Sequence, residues 1–211
     1  DIRKHIWRVP TENVVTLYNV IDVPLTEPQL LSRDEARTAL NIRETDFVFG
    51  QLARLVPNKD QKNLINAFAA IKPDCPDAKL MIIGNGVLED ALKQQVVELK
   101  LEQDVIFTGY VTAGFRYVRG FDCFVLSSTQ EAFGRVLLEA MIGKCPIIAT
   151  KTNGIPEVVG EAGIIVPPKD TLALSAAMKI IYHLSHDAKM EMVEKAYTHM
   201  QTRFSIPIFH Q

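Results

Sequence analysis

The 211-residue sequence has little that would cross-link it, anchor it or load it with metal. Its three cysteines, Cys75, Cys123 and Cys145, form no C-x-x-C pair and are odd in number. That argues against a disulfide framework or a structural zinc site and points to a reducing compartment. Cys123 and Cys145 flank apolar runs and read as small apolar residues. No apolar run approaches the length that spans a bilayer, and no signal peptide is visible, so a cytoplasmic location is expected. Positive charge is not in excess: the formal net charge is −2. The basic face of a general nucleic-acid binder is therefore not expected. H-E-x-x-H, clustered His/Cys, the G-x-S-x-G elbow, the Walker lysine motif and G-x-G-x-x-G are all absent. The five histidines (His5, His183, His186, His199 and His210) lie towards the chain ends, away from the loops singled out below.

What is present is an ordinary globular balance, 47% hydrophobic and 23% charged residues, in a length that suits one larger domain. Strand signals are short, apolar and β-branched: Val14–Leu17, Phe47–Leu52, Leu80–Ile83, Val105–Thr108, Cys123–Leu126, Pro146–Thr150 and Gly163–Val166. Most are apolar on both faces, the pattern of parallel strands sandwiched between helices. Helix signals alternate with them. Ser32-Arg33-Asp34-Glu35 reads as a capping box opening a helix to about Leu40. Further helices are predicted over Asn63–Ile71, Leu88–Leu99, Gly134–Ile142 (with Gly143 as C-cap), Ile155–Val159, Thr171–Leu184 and Ala188–Met200, with a short one at Phe115–Gly120. The alternation predicts a doubly wound, mainly parallel α/β domain, Rossmann-like, with no internal repeat or linker long enough to split it. Such folds bind ligands outside the carboxyl ends of their strands, so the loops after the strands carry the chemistry.

After Leu52 comes Ala53-Arg54-Leu55-Val56-Pro57-Asn58-Lys59. Arg54 offers a planar fork and Lys59 a point charge, a pair able to neutralise a diphosphate. Alone they would read as solvated surface charges. After Ile83 comes Gly84-Asn85-Gly86, which either brings backbone close to a ligand or simply makes a tight strand-to-helix turn. The most informative loop follows Leu126. It carries Glu131, then Phe133, Gly134, Arg135 and Val136 at a helix start, then Glu139 inside the helix. The free N–H groups of Phe133 to Val136 make a ready anion site. Carboxylates at either end suit sugar hydroxyls, since each accepts from two. Read in order, the loop would meet a sugar, a diphosphate and a ribose. The bland alternative is a glutamate complementing a helix dipole and a solvated Glu139, but Glu139 sits between Leu138 and Ala140 and needs a partner. Asn153-Gly154-Ile155-Pro156-Glu157 is either a second hydroxyl or anion site or just a turn. No D-x-D pair is present to hold a divalent cation against a nucleotide diphosphate, so neither metal nor cofactor is expected.

These segments, in this order, resemble the retaining GT-B glycosyltransferases of group 1, or family 4, from about Val14 to Phe204. The most specific element is E-x7-E, Glu131 to Glu139. Supporting it are Y-N-V-I-D at Tyr18–Asp22, R-L-V-P-N-K at Arg54–Lys59, I-I-G-N-G at Ile82–Gly86, V-I-F-T-G-Y-V at Val105–Val111 and N-G-I-P-E-V-V at Asn153–Val159. The resemblance implies that Arg54 and Lys59 hold the donor diphosphate and that Glu131 contacts the transferred sugar. It also implies that the amides of Phe133 to Val136 bind the distal phosphate and sugar, that Glu139 binds ribose, and that Tyr110 and Val111 border the base. Ala53, Asn85 and Val20 depart from the residues common in the family and leave base and sugar preference open.

The family has two Rossmann-like domains, and the resemblance covers the C-terminal, donor-binding one. Residues 1–211 are therefore expected to form a single nucleotide-sugar-binding domain. Within it, 1–10 would end a linker or preceding domain and 205–211 would begin a tail. The expected partners are a UDP- or GDP-linked sugar and, through an N-terminal domain, a saccharide or lipid-linked acceptor, with membrane contact through that same half. Bacterial surface polysaccharide or lipopolysaccharide synthesis is the implied setting. Since transfer needs both substrates in register, the fragment is expected to bind nucleotide and transfer nothing. A GT-B epimerase or phosphorylase and a non-catalytic binding module are the alternatives.

Overall fold

Strands buried on both faces dictate the architecture. In a computed structural model, which describes residues 17–206, six strands form one parallel sheet: β1 (Phe47–Leu52), β2 (Ala78–Ile83), β3 (Val105–Gly109), β4 (Cys123–Leu126), β5 (Ile147–Thr150) and β6 (Ile164–Val166). Their spatial order is β3-β2-β1-β4-β5-β6. This is the doubly wound order whose direction reverses between β1 and β4, opening a crevice above their carboxyl ends. The predicted strand over Val14–Leu17 falls outside the described residues except for Leu17, which is in no strand. The segments 1–10 and 207–211 lie outside them too.

Eight α-helices are described: α1 (Val23–Thr26), α2 (Arg33–Ala39), α3 (Gln61–Ile71), α4 (Glu89–Glu98), α5 (Arg135–Ile142), α6 (Ile155–Val159), α7 (Thr171–His183) and α8 (His186–Phe204). Helix α1, started by Asp22 accepting from Leu25 N at 2.9 Å, had no apolar periodicity to announce it. The predicted capping box of α2 is formed in both directions, Ser32 with the Glu35 amide and Glu35 with the Ser32 amide. Phe115–Gly120 lies within a 3-10 helix, Gly114–Gly120. Gly143 does cap α5, but in the right-handed conformation; the left-handed residue is Lys144. Glycine is needed at 143 for space, because a Cβ there would stand 2.3 Å from Val118 Cγ2.

Alternate strand residues feed two cores. Val48, Leu52, Met81, Phe124 and Leu126 pack on one face under α5, α6 and α8. Phe49, Leu80, Ile82, Val125 and Ile148 pack on the other under α3, α4 and α7. Each fully buried Leu, Ile or Phe contributes about 1.5–3 kcal/mol relative to exposure. The three cysteines are free and buried within these cores, as small apolar residues would be. Among the described residues, no helix is long and apolar enough to cross a membrane.

Candidate functional site

The loops at the strand ends are held together by backbone. Ala53 N donates to Ile83 O (3.1 Å), Leu55 N to Asn85 O (2.9 Å) and Leu88 N to Leu55 O (3.1 Å). The approach is so close that a Cβ on Gly84 would stand 2.0 Å from Ala53 O, and one on Gly86 2.4 Å from Leu55 O. The Gly-x-Gly turn thus owes its glycines to loop-on-loop packing, while Gly84 also reaches the crevice.

At this end of the sheet lies a cavity of about 310 Å³. Gly84, Tyr110, Val111, Val136 and Glu139 line it, with Leu52, Ala53 and the Ala113–Phe115 turn. It sits above β1, β2 and β3 and beside α5. Tyr110 is 71% exposed at its rim. The Glu139 side chain is 13% exposed, and its nearest cation is Arg135 Nε at 3.6 Å, on a side chain itself 70% exposed. Burial raises the Glu139 carboxyl above the ordinary glutamate range, and Arg135 only partly opposes this. A mostly desolvated carboxylate with one loose partner is poised to accept from hydroxyls. A larger groove, about 740 Å³, lies between Gly160–Ala162 and α8. It is on the side where β6 begins, away from the carboxyl ends of the strands.

The start of α5 lies between the two glutamates. Gly134 caps it with φ +77°, a left-handed conformation that few side chains tolerate. Leu137 N donates to Gly134 O at 2.8 Å. The amides of Phe133, Arg135 and Val136 meet no acceptor among the described residues, as expected for a helix start. At the far end, Lys59 is ion-paired with Glu131, and Ser128 Oγ lies 3.5 Å from the same carboxylate oxygen. Arg54 is exposed, and its side chain has no partner among the described residues.

Seven of the predicted residues are gathered, in two groups flanking one helix terminus, and Arg54 is in neither. Glu139 faces the cavity with Gly84, Tyr110, Val111 and Val136; Glu131 and Lys59 face each other. The Phe133 side chain turns instead to Tyr18 and Phe204, at centroid distances of 6.5 and 5.5 Å. Arg135 points to solvent and Glu139 rather than across the site. Asn153-Gly154-Ile155-Pro156-Glu157 is a buttress. A Cβ on Gly154 would stand 2.8 Å from Ala132 O, and Ile155 packs beside Gly134. Glu157 accepts from Tyr18 and pairs with Arg203 at 3.8 Å. His199, set aside in the sequence by its position near the end, belongs to this support: its ring lies 3.3 Å from Glu157 O and edge-on to Phe204. Sequence reading also missed Gln51, fully buried in β1, which donates to Ser127 Oγ at 2.9 Å below the Lys59 turn. A glutamine inside an otherwise apolar strand was the available signal. Among the described residues, no group of three His, Cys, Asp or Glu gathers.

Comparison with known proteins gives a consistent picture. The family described as "Glycosyl transferases group 1" matches residues 32–199. The putative glycosyltransferase EpsD of Bacillus subtilis is 30% identical over 155 residues, covering 72% of this chain and 41% of that protein. N-acetyl-alpha-D-glucosaminyl L-malate synthase of Bacillus anthracis is 31% identical over 170 residues, covering 79% and 43%. The structure of Anabaena Alr3699/HepE in complex with UDP superposes with a TM-score of 0.85 at 26% identity, over 96% of this chain and 56% of that one. The C-terminal domain of the LpcC glycosyl transferase of Francisella tularensis shares the fold, with a TM-score of 0.77 at 23% identity, over 88% of this chain and 99% of that one. The chain thus spans less than half the length of EpsD and of the malate synthase, and 56% of Alr3699/HepE.

Proposed function

Since the chain belongs to the group 1 glycosyl transferases, we propose that it carries the donor site of a retaining transferase acting on a UDP- or GDP-linked sugar. The observation that carries this reading is Glu139, mostly buried and loosely partnered in the wall of the cavity above β1, β2 and β3. It would accept both ribose hydroxyls, with Tyr110 and Val111 bordering the base. The free amides of α5 and the cations Arg54 and Lys59 would take the diphosphate. As the bond to the leaving group breaks, the same donors would stabilise the growing phosphate charge, which lowers the barrier. Glu131 would orient the sugar rather than attack it. In this reading the cations and helix amides do the work a divalent metal does elsewhere, so EDTA should leave nucleotide affinity unchanged.

The acceptor, a saccharide or lipid-linked sugar, would be held by the part of such proteins that has no counterpart in this chain. What supports this division is length alone: the match covers 41% of EpsD and 56% of Alr3699/HepE, which leaves room in each for a second substrate site. Surface polysaccharide or lipopolysaccharide synthesis at a membrane face is the setting we favour. The test is calorimetric titration of the purified chain with UDP, GDP and their sugar conjugates, beside Glu139→Ala. Nucleotide binding is expected in the wild type, with loss of at least tenfold in the variant, the equivalent of one charged hydrogen bond at about 1.5 kcal/mol or more. Unchanged affinity would sink the ribose assignment. Glycosyl transfer by the chain alone would sink the division of labour.

A further inference from the structure

We propose that Glu131 and Lys59 form a latch through which the site discriminates a nucleotide sugar from the free nucleoside diphosphate. The proposal rests on the donor-site reading above and adds a specificity role to one of its residues. Each of the two side chains neutralises the other, and they are only 17% and 18% exposed. The backbones that carry them are fastened independently. Thr129 N donates to Asn58 O (2.8 Å), and Asn58 Nδ2 to Gln130 O (3.3 Å). Ser127 Oγ donates to Lys59 O (2.8 Å), and the buried Gln51 donates to Ser127 in turn. The two side chains can therefore part without the loops separating.

Their exchange is unequal for the two ligands. A diphosphate that takes Lys59 strips Glu131 of its cation. The carboxylate is left mostly out of water, with the Ser128 hydroxyl at 3.5 Å as its remaining hydrogen-bond partner among the described residues. A part-buried charge without donors is costly. Free diphosphate brings only further acceptors and negative charge. A nucleotide sugar brings hydroxyls at the distal phosphate, which donate to Glu131 in place of Lys59. Glu131 thus penalises the bare nucleotide and spares the conjugate, favouring donor entry and departure of the spent diphosphate.

The test is titration of the purified chain with UDP, GDP, UDP-glucose and GDP-mannose, comparing wild type, Glu131→Gln, Glu131→Ala, Lys59→Met and the Glu131→Gln/Lys59→Met pair. Each variant is checked for folding by thermal unfolding. Glu131→Gln is expected to tighten the free diphosphate that wild type binds by about fivefold, the scale of a partly exposed ion pair. The ratio of free to sugar-linked affinity should move towards the free nucleotide. Glu131→Ala should do the same. Lys59→Met should weaken both ligands and erase the effect of Glu131→Gln, the non-additivity that marks a shared partner. If wild type binds UDP or GDP and neither Glu131 variant binds it more tightly, the latch is overturned and the donor site stands. If none of the four probes binds the wild type, both fall. A purely structural Glu131 would lower stability without moving the ratio.

Discussion

Gly134 and Ile155 lie so close that a Cβ on the glycine would stand 2.6 Å from Ile155 Cδ1. The contact seats the start of α5 on the Asn153–Glu157 buttress, and the left-handed φ of +77° at Gly134 aims the following amides outward. Gly134→Ala combines a strained backbone with overpacking. It should cost about 3 kcal/mol in urea unfolding. Nucleotide affinity should fall further than stability does, because the amides of Arg135 and Val136 move with the cap.

Glu139 links pH to both stability and binding. Burial raises its folded carboxyl above the unfolded value, with Arg135 opposing. The folded state therefore holds its proton more tightly than the unfolded one, and the contribution of Glu139 to stability declines as pH rises through this interval. Ionised Glu139 is a cost to the empty domain at neutral pH. Glu139→Gln should unfold at the same temperature as wild type or higher, yet bind nucleotide roughly 10–100-fold more weakly. Nucleotide affinity of the wild type should fall as pH drops, beginning above the ordinary glutamate range. A pH titration of affinity that is flat down to the usual carboxylate value would contradict the assignment.

Gly84→Ala tests the packing of the two loops at the cavity floor. Its φ of +142° and the 2.0 Å approach of a Cβ to Ala53 O leave no room for a side chain. A loss of about 2–3 kcal/mol in thermal or chemical unfolding is expected. The Arg54 loop must shift to accommodate it, so diphosphate binding should weaken as well.

Arg37 serves as a control at the other end of the sheet. It is 5% exposed and donates to Gly120 O (3.1 Å), Arg43 O (2.6 Å) and Asp46 O (2.6 Å). It also meets Asp122 at 3.3 Å, which accepts from Val48 N at the start of β1. Arg37→Ala strands several buried acceptors at once and should cost about 3 kcal/mol or more. At temperatures where it remains folded, nucleotide affinity should match wild type, since the site lies at the opposite strand ends.

The sheet was legible because parallel strands covered on both sides must be apolar throughout, as Phe47–Leu52 and Cys123–Leu126 are. The two cores divide these residues as alternation requires. Helix α1 escaped notice because its four residues carry too little pattern. Gly143 was read as a conformational cap, but packing against Val118 is what demands glycine there. Residue type and position after strands singled out two glutamates and two cations as candidates, and the structure brings Glu131, Lys59 and Glu139, but not Arg54, to the start of α5. That Lys59 pairs with Glu131, that Phe133 turns away to Phe204, and that His199 supports the Glu157 turn were not legible. Each contact joins segments far apart in sequence, and no local pattern records it.

By itself, then, the sequence determined the alternation of strand and helix, the face-to-face burial, and which loops end at the carboxyl edge. These follow from local periodicity and from the chemistry of each residue. Only the tertiary structure decided which charges neutralise one another and which stay unpaired. Glu139 and Glu131 are both glutamates in the E-x7-E motif. One is desolvated beside a cavity with a loose partner, and the other is quenched by a lysine. Charge pairing depends on distances of a few ångströms between separate loops, and folding alone sets those distances.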